Sequence, residues 1–230
     1  MRRGKEQRQF SEQFEEVQPI EVRGHTKNIS LLVEVTQQGQ KSRALYYPEK
    51  GVRFQTDQRI PKPYEVHHHV AFFQLAQMIG VSSAIPAISY SLKDDDCGSL
   101  SPFYDSAEVK PHYFFESLEP SPAWVELATL DYLAGLIDRT SNDILFLPSG
   151  QVVATDNGLS FVEGVTFSTQ ISVVRKAMQG EALPSYLLTR ISSLNPRSLR
   201  QLSALLYNPE VALKSVVDRR NALLEKGVVL

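Results

Sequence analysis

The stretch "IDRTSNDILFLPSGQVVATDNGLSF", residues 137–161, places an Asp-Arg pair before one short apolar run and Asp-Asn-Gly after a second. Short strands need turns, and Asp, Asn and Gly are favoured in turns, so turn formation alone could explain the pattern. Metal-assisted chemistry on a phosphate would also explain it. A loop followed by a β-hairpin brings Asp138, Asp143 and Asp156 to one edge, because both strands end there.

Composition excludes several classes of protein. The chain has 230 residues, which suffices for one large domain or for two small lobes around a cleft. Its net charge of −2 gives no general attraction to nucleic acid, and no run of about 18 apolar residues predicts a membrane span. The basic N-terminus precedes no apolar signal segment, and Cys97 is the single cysteine. We expect a cytoplasmic protein, or one exported into a host cell by a route that needs no signal peptide.

The first half of the chain is rich in β-signals. Residues 28–35 and 42–47 are predicted strands separated by a turn at Gly39, and a helix is predicted over 64–80. A further strand, which contains a proline, is predicted over 83–92. Three consecutive histidines, residues 67–69, lie in the first turns of this helix. They point around it in different directions, so we expect a surface helix start rather than a metal site.

The second half is mainly helical. A helix is predicted over 121–137, the two short strands follow, and four more helices are predicted after residue 171, the last with Asn208 as its N-cap. A β-rich half followed by a helical half predicts an α+β fold with two lobes and a cleft between them. The predicted organisation is a polar, helical or frayed extension (1–17), a small N-lobe (18–106) and a mainly helical C-lobe (107–230).

The motifs "DRTSNDIL" (138–145) and "DNGLSF" (156–161) resemble those of an atypical kinase superfamily. This superfamily joins the phosphatidylinositol 3- and 4-kinases, the bacterial persistence-toxin kinases and small bacterial relatives. Its members carry D-R-x-x-x-N-x-L and, about a dozen residues later, D-x-G-x-x-F. The resemblance implies a two-lobed protein-kinase-like fold and ATP with Mg²⁺ as cofactors.

The resemblance also implies roles for the acidic residues. Asp138 matches the catalytic base, and Asp156 matches a metal ligand. The family's second metal ligand, an Asn, falls on Asp143, with Asn142 immediately before it. A carboxylate at that place can still bind Mg²⁺, because hard cations prefer oxygen ligands.

Two departures from the family concern the nucleotide. The strand lysine that contacts the phosphates falls on Tyr47, and the helix glutamate that pairs with it falls on His69. The stretch with Gly98 and Ser99 is similar to the hinge that contacts the nucleotide. If nucleotide binding had been lost or had moved to other residues, both charges would be expected to disappear together.

A shift of register could mimic this loss, since Lys50 follows Tyr47 by three residues and Glu65 precedes His69 by one helical turn. Lys27, in the segment similar to the phosphate loop, is the other candidate for the missing positive charge. We favour Lys27, because Pro48 ends the strand and should turn Lys50 away.

The predicted function is Mg-ATP-dependent phosphoryl transfer to a hydroxyl, on a protein rather than a lipid, because no basic or amphipathic membrane-binding face is evident. The rival hypotheses are a pseudokinase that serves as a binding module and a nucleotidyl transferase with reversed ATP. Tyr47 and His69 favour the rivals, whereas Asp138 and Asp156 favour catalysis.

Overall fold

The computed structural model describes residues 14–23, 29–52, 60–93, 96–162 and 172–230. The N-terminal part is a five-stranded antiparallel sheet with the strand order β1-β2-β3-β5-β4. Its strands are β1 (Glu16–Arg23), β2 (Ser30–Gln37), β3 (Gln40–Pro48), β4 (Ile88–Lys93) and β5 (Asp96–Pro102).

The β2–β3 hairpin forms as predicted, although its strands are longer than the sequence indicated. Gln38 and Gly39, at its tip, both have positive φ (52° and 70°). A two-residue turn with two positive φ values matches the twist of paired strands, and glycine adopts it without strain. Behind the turn, alternating side chains of both strands are buried in one small core under the sheet, among them Val33, Val35 and Tyr46.

Helix α1 (Lys62–Ile79) connects the two parts of the molecule. It ends at Gly80, whose φ of 68° is left-handed, so the predicted helix stop is confirmed. Side chains are buried nearly all round it, because the helix lies between the sheet and the C-terminal helices.

The C-terminal part is mainly helical, with a small three-stranded sheet. Its helices are α2 (His112–Glu116), α3 (Pro122–Ala134), α4 (Val173–Ala177), α5 (Ser185–Ser193), α6 (Pro196–Leu199) and α7 (Pro209–Lys226). The sheet contains β6 (Glu108–Val109), β7 (Ile144–Phe146) and β8 (Val152–Ala154). The predicted α+β fold, with a β-rich N-terminal part and a helical C-terminal part, is confirmed. The exact lobe boundaries at residues 18 and 107 stay a prediction.

Several local predictions were wrong. Strand β1 was missed, and it begins inside the stretch assigned to a polar extension. It is an edge strand with mostly exposed side chains and a register shift at Pro19, so it shows little alternation in the sequence. Helix α3 ends at Ala134 because Gly135 is left-handed, not at residue 137. Asn208 has no side-chain capping bond.

In the part of the chain that the structure describes, no helix is both long and apolar enough to cross a bilayer.

Candidate functional site

A cleft of about 450 Å³ lies where β3 and α1 face the loops around the β7–β8 hairpin. Four of its lining residues are acidic: Glu65, Asp138, Asp143 and Asp156. None of the lining residues that the structure describes is a lysine or an arginine. The remaining walls are apolar, aromatic or neutral: Ile29, Tyr47, Pro48, Val52, Val66, His69, Thr155, Gly158 and Leu159.

Asp138 follows α3 after a short buried connection. The left-handed Gly135 ends the helix, and the chain then runs through buried Leu136 and Ile137 to the cleft. The Oδ1 atom of Asp138 is buried without a hydrogen-bond partner. Burial, followed by the negative charges of Asp156 and Asp143, raises the pKa of the Asp138 carboxyl to about 7.

Asp143 closes a single 3₁₀ turn over residues 141–143. Its Oδ2 atom accepts two bonds of 2.7 Å from Thr140, one from the backbone N–H and one from the hydroxyl. Burial raises the pKa of the Asp143 carboxyl, and these two bonds from Thr140 oppose the rise. Thr140 therefore fixes the orientation of the Asp143 carboxylate. Both bonds from Thr140 go to Oδ2, and Thr140 donates none to Oδ1.

The hairpin brings Asp143 and Asp156 to the same edge. The N–H of Thr155 donates to the carbonyl of Asp143 over 2.8 Å, which joins the start of β7 to the end of β8. On the other side, Ala154 exchanges backbone hydrogen bonds with the segment at Ser83 and Ile85. The structure thus brings the three predicted aspartates together, while their chemical roles stay predictions.

Behind the aspartates lies a buried network that the sequence interpretation missed. Arg139 is fully buried and contacts the equally buried Asp131 of α3, with 2.8 Å between Nη2 and Oδ1. It also donates to the carbonyl of Thr155 over 2.5 Å and to Oδ1 of Asn157 over 2.8 Å. Ser172, just before α4, donates to Oδ2 of Asp131 over 2.6 Å. An acidic residue inside the apolar sequence "TLDYLAGLI" was the available signal, because a buried charge requires a partner.

Tyr47 and His69 face each other across the cleft wall. Their rings are stacked, with centroids 5.2 Å apart and planes 13° from parallel. Burial, and to a smaller degree the charge of Arg139, lowers the pKa of His69 to about 4, so the ring is neutral at pH 7. Burial and the charge of Asp156 raise the pKa of the Tyr47 phenol. The two positions that the resemblance aligned with a Lys–Glu pair are therefore in contact and uncharged.

Other predicted nucleotide residues are placed differently. Gly98 and Ser99 lie inside β5, where they pair with Pro48 and Tyr47 of β3, and neither lines the cleft. The stretch that the sequence likened to a hinge is therefore part of a strand that pairs with β3 and β4, and its contact with a nucleotide stays a prediction. At position 98, an added Cβ would overlap the carbonyl oxygen of Tyr47, so glycine is required by packing.

Among the remaining candidates, Asn142 has an exposed side chain outside the cleft lining, whereas Asp143 lies within it. Lys27 lies outside the described residues. Lys50 is exposed in the turn that follows the end of β3 at Pro48, as expected if the proline turns it away.

The histidine run is not a surface helix start. His67 is partly exposed and lies 2.7 Å from Glu49, but His68 and His69 are buried. His68 packs edge-to-face on Phe161 at 5.7 Å. The prediction failed because α1 is covered on nearly all sides.

The acidic residues fit a divalent metal with oxygen ligands. Asp143 and Asp156 offer carboxylates in one cleft, beside the buried oxygen of Asp138 that has no hydrogen-bond partner. No group of three or more His, Cys, Asp or Glu side chains in the described ranges is arranged to hold an ion by itself. Mg²⁺ commonly uses one or two carboxylates together with water and phosphate oxygens, so this donor set suits a metal that arrives with a phosphate.

A two-lobed fold with an acidic cleft between its parts defines the class: the chain has an atypical kinase-like fold. No protein-family model and no curated protein matches the sequence. Among solved structures, the Golgi casein kinase with Mn and ADP bound is similar at 13% identity and a TM-score of 0.51, over 93% of this chain and 72% of that one. The Helicobacter pylori proinflammatory kinase CtkA is similar at 9% identity and a TM-score of 0.52, over 92% and 94%. At such identities the similarity establishes the fold.

Proposed function

We propose that the cleft binds ATP with a divalent metal and transfers the γ-phosphoryl group to a hydroxyl, as the sequence predicted. The observation that carries the proposal is the convergence of Asp138, Asp143 and Asp156 on one cleft of a kinase-like fold. Phosphoryl transfer needs one carboxylate beside the attacking hydroxyl and further oxygen ligands for the metal beside the phosphates. Mn and ADP bound to the similar Golgi casein kinase support the same ligand class here.

In this reaction Asp138 orients the acceptor hydroxyl and accepts its proton. As the acceptor oxygen bonds to the γ-phosphorus, the bond from phosphorus to the bridging oxygen breaks and ADP leaves. A carboxylate with its pKa raised to about 7 is a stronger base than an ordinary aspartate once it is ionised.

Asp143 and Asp156 would hold the metal, and Thr140 keeps the Asp143 carboxylate in a fixed orientation. When bound, the metal neutralises phosphate charge and aligns the γ-phosphate with the acceptor. This contribution matters more than usual, because no cationic side chain is among the described residues that line the cleft.

We propose a protein as the acceptor. The name of the Golgi casein kinase gives a protein substrate for that enzyme, and the predicted absence of a basic or amphipathic membrane-binding face argues against a lipid. The single cysteine, Cys97, favours a reducing compartment.

A pseudokinase is the second candidate, and the Tyr47–His69 stack favours it. A neutral aromatic pair replaces the two charges that this family uses to hold the phosphates. In that case the cleft, or a surface beside it, would serve to recognise a partner.

Thermal unfolding distinguishes the two candidates. A ligand present at 100 times its dissociation constant stabilises a fold by about 2.7 kcal/mol. The proposal predicts an increase in Tm with ATP or ADP only when Mg²⁺ or Mn²⁺ is present. Absence of an increase with any nucleotide and metal would contradict the proposal and support the pseudokinase.

A further inference from the structure

Asp156 has a strained backbone. Its φ of 51° lies in the left-handed region, although the residue is not a glycine and its side chain is exposed. Non-glycine residues are uncommon in this region, although aspartate adopts it more readily than most, and such conformations concentrate at functional sites. The contacts of the loop of residues 155–158 therefore decide where the Asp156 carboxylate lies.

One side of this loop is fixed by Arg139. Its guanidinium holds the carbonyl of Thr155 before Asp156 and the side-chain oxygen of Asn157 after it. Because Arg139 is also paired with Asp131, this attachment leads into the helical part of the molecule through α3.

The other side is fixed by His69. The backbone N–H of Asn157 donates to Nδ1 of His69 over 3.3 Å, across 88 residues of sequence. The acceptance of this bond requires Nδ1 to be unprotonated, so the ring carries its hydrogen on Nε2. His69 belongs to α1, so this second attachment comes from the opposite wall of the cleft.

Two neighbours determine where the His69 ring lies. Tyr47 stacks on one face of it from β3. Gly158 lets the loop approach α1 closely: a Cβ there would lie 3.0 Å from the carbonyl oxygen of Glu65 and 3.1 Å from Nε2 of His69. A larger residue at position 158 would therefore push the loop away from the helix.

We propose that His69 is a positioning residue that holds Asp156 in its strained, metal-binding conformation through the N–H of Asn157. Tyr47 holds the imidazole in the plane that this bond requires. The stacked pair thus links β3 and α1 to the loop of residues 155–158 without charge. The part of this inference that concerns metal rests on the function proposed above.

Two substitutions of His69 separate the hydrogen bond from the stacking. His69→Phe keeps an aromatic ring against Tyr47 but removes the acceptor. His69→Asn loses the stacking but places a side-chain oxygen near the position of Nδ1. His67→Phe is the matched control, since His67 lies on the same helix outside the cleft lining.

The first readout is amide hydrogen exchange at Asn157 in the ligand-free protein. We expect exchange at least tenfold faster in His69→Phe, and exchange within threefold of wild type in His69→Asn and in the control. The second readout is the affinity for Mn²⁺ in the presence of ADP, measured by electron paramagnetic resonance. We expect at least tenfold weaker binding in His69→Phe and retained binding in His69→Asn.

Unchanged exchange and unchanged Mn²⁺ affinity in His69→Phe would overturn the proposal. Equal losses in both His69 variants would also overturn it, because stacking rather than the hydrogen bond would then hold the loop. A wild type that binds no Mn²⁺, together with the predicted exchange at Asn157, would refute the proposed function while supporting the attachment of the loop to α1. If His69→Phe is too unstable to purify, the exchange pattern of His69→Asn decides: fast exchange at Asn157 would contradict the proposal.

Discussion

Arg139 donates a hydrogen bond to the side-chain oxygen of Asn157 over 2.8 Å. Arg139 directly follows Asp138, the candidate catalytic residue, and Asn157 directly follows Asp156, a candidate metal ligand. The hydrogen bond therefore joins the loop that carries Asp138 to the loop that carries Asp156. This bond, together with the buried contact to Asp131, holds the acidic edge of the cleft in one geometry.

The first prediction concerns this buried pair. Asp131→Ala should lower the free energy of unfolding by about 3–5 kcal/mol, because Arg139 would remain buried without its counter-charge. Asp131→Asn keeps the shape and removes the charge, so it tests the same pair if the alanine variant does not fold. Urea unfolding measures the free energy of unfolding of both variants. The exposed pair Arg43–Asp105 is the control, and Asp105→Ala should cost at most about 1 kcal/mol. A similar cost for the buried and the exposed pair would contradict the account.

The second prediction is a pH dependence of stability. The pKa of Asp138 is raised from 3.8 to about 7 in the folded state. Between these values the folded protein retains a proton that the unfolded chain has released, so the free energy of unfolding should fall as pH rises through this window. Asp138→Asn removes that effect.

Chemical denaturation of wild type and Asp138→Asn at pH 4 and pH 8 measures this pH dependence of the free energy of unfolding. Relative to wild type, the Asp138→Asn variant should be more stable at pH 8 than at pH 4 by about 1.4 kcal/mol or more, the value of a one-unit difference in pKa. The same difference between variant and wild type at both pH values would show that the carboxyl titrates normally.

The third prediction concerns the metal. Asp156→Ala should abolish metal-dependent nucleotide binding and leave the ligand-free fold intact, since this exposed side chain contributes little to packing. Calorimetric titration with Mg²⁺ and ATP measures the binding, and a thermal unfolding curve checks the fold. Binding as tight as in wild type would remove Asp156 from the site.

The fourth prediction tests the source of positive charge. Like charges about 4 Å apart repel by about 4 kcal/mol at an effective dielectric of 20, so a triphosphate beside these carboxylates needs a cation besides the metal. His69 is neutral at pH 7, and Lys50 is exposed away from the cleft lining. Lys27→Met should weaken ATP binding at least tenfold, whereas Lys50→Met should change it little. Equal ATP affinities for Lys27→Met and wild type would mean that Lys27 does not supply the positive charge that offsets the phosphates.

The parts of the fold with strong local signals could be predicted from the sequence. The β2–β3 hairpin, helix α1 and the β7–β8 pair follow from alternation, helical periodicity and turn residues. Strand β1 could not, because an edge strand exposed on both faces has no buried stripe. Gly98 and Ser99 form a strand by pairing with the adjacent β4 and with β3, which lies much earlier in the sequence, so local patterns alone did not identify this strand.

The same division holds at the site. Asp138, Asp143 and Asp156 were found because the hairpin between them is short, and their spacing fixes their proximity. The partners of Arg139 were not found, since Asp131 and Ser172 come from other elements. Nor did the sequence show that the rings of Tyr47 and His69 stack, or that Nδ1 of His69 accepts a hydrogen bond from the N–H of Asn157, 88 residues away.

The most direct test of the central claim is transfer of label from ATP to protein. Wild-type protein is incubated with Mn²⁺ or Mg²⁺ and with ATP that carries ³²P at the γ- or the α-phosphate, in the presence of a mixture of acceptor proteins, with Asp138→Asn as the control. The account predicts metal-dependent incorporation from the γ-label alone, lost in the variant. Incorporation from the α-label would indicate nucleotidyl transfer, and absence of incorporation from either label would contradict phosphoryl transfer at this cleft.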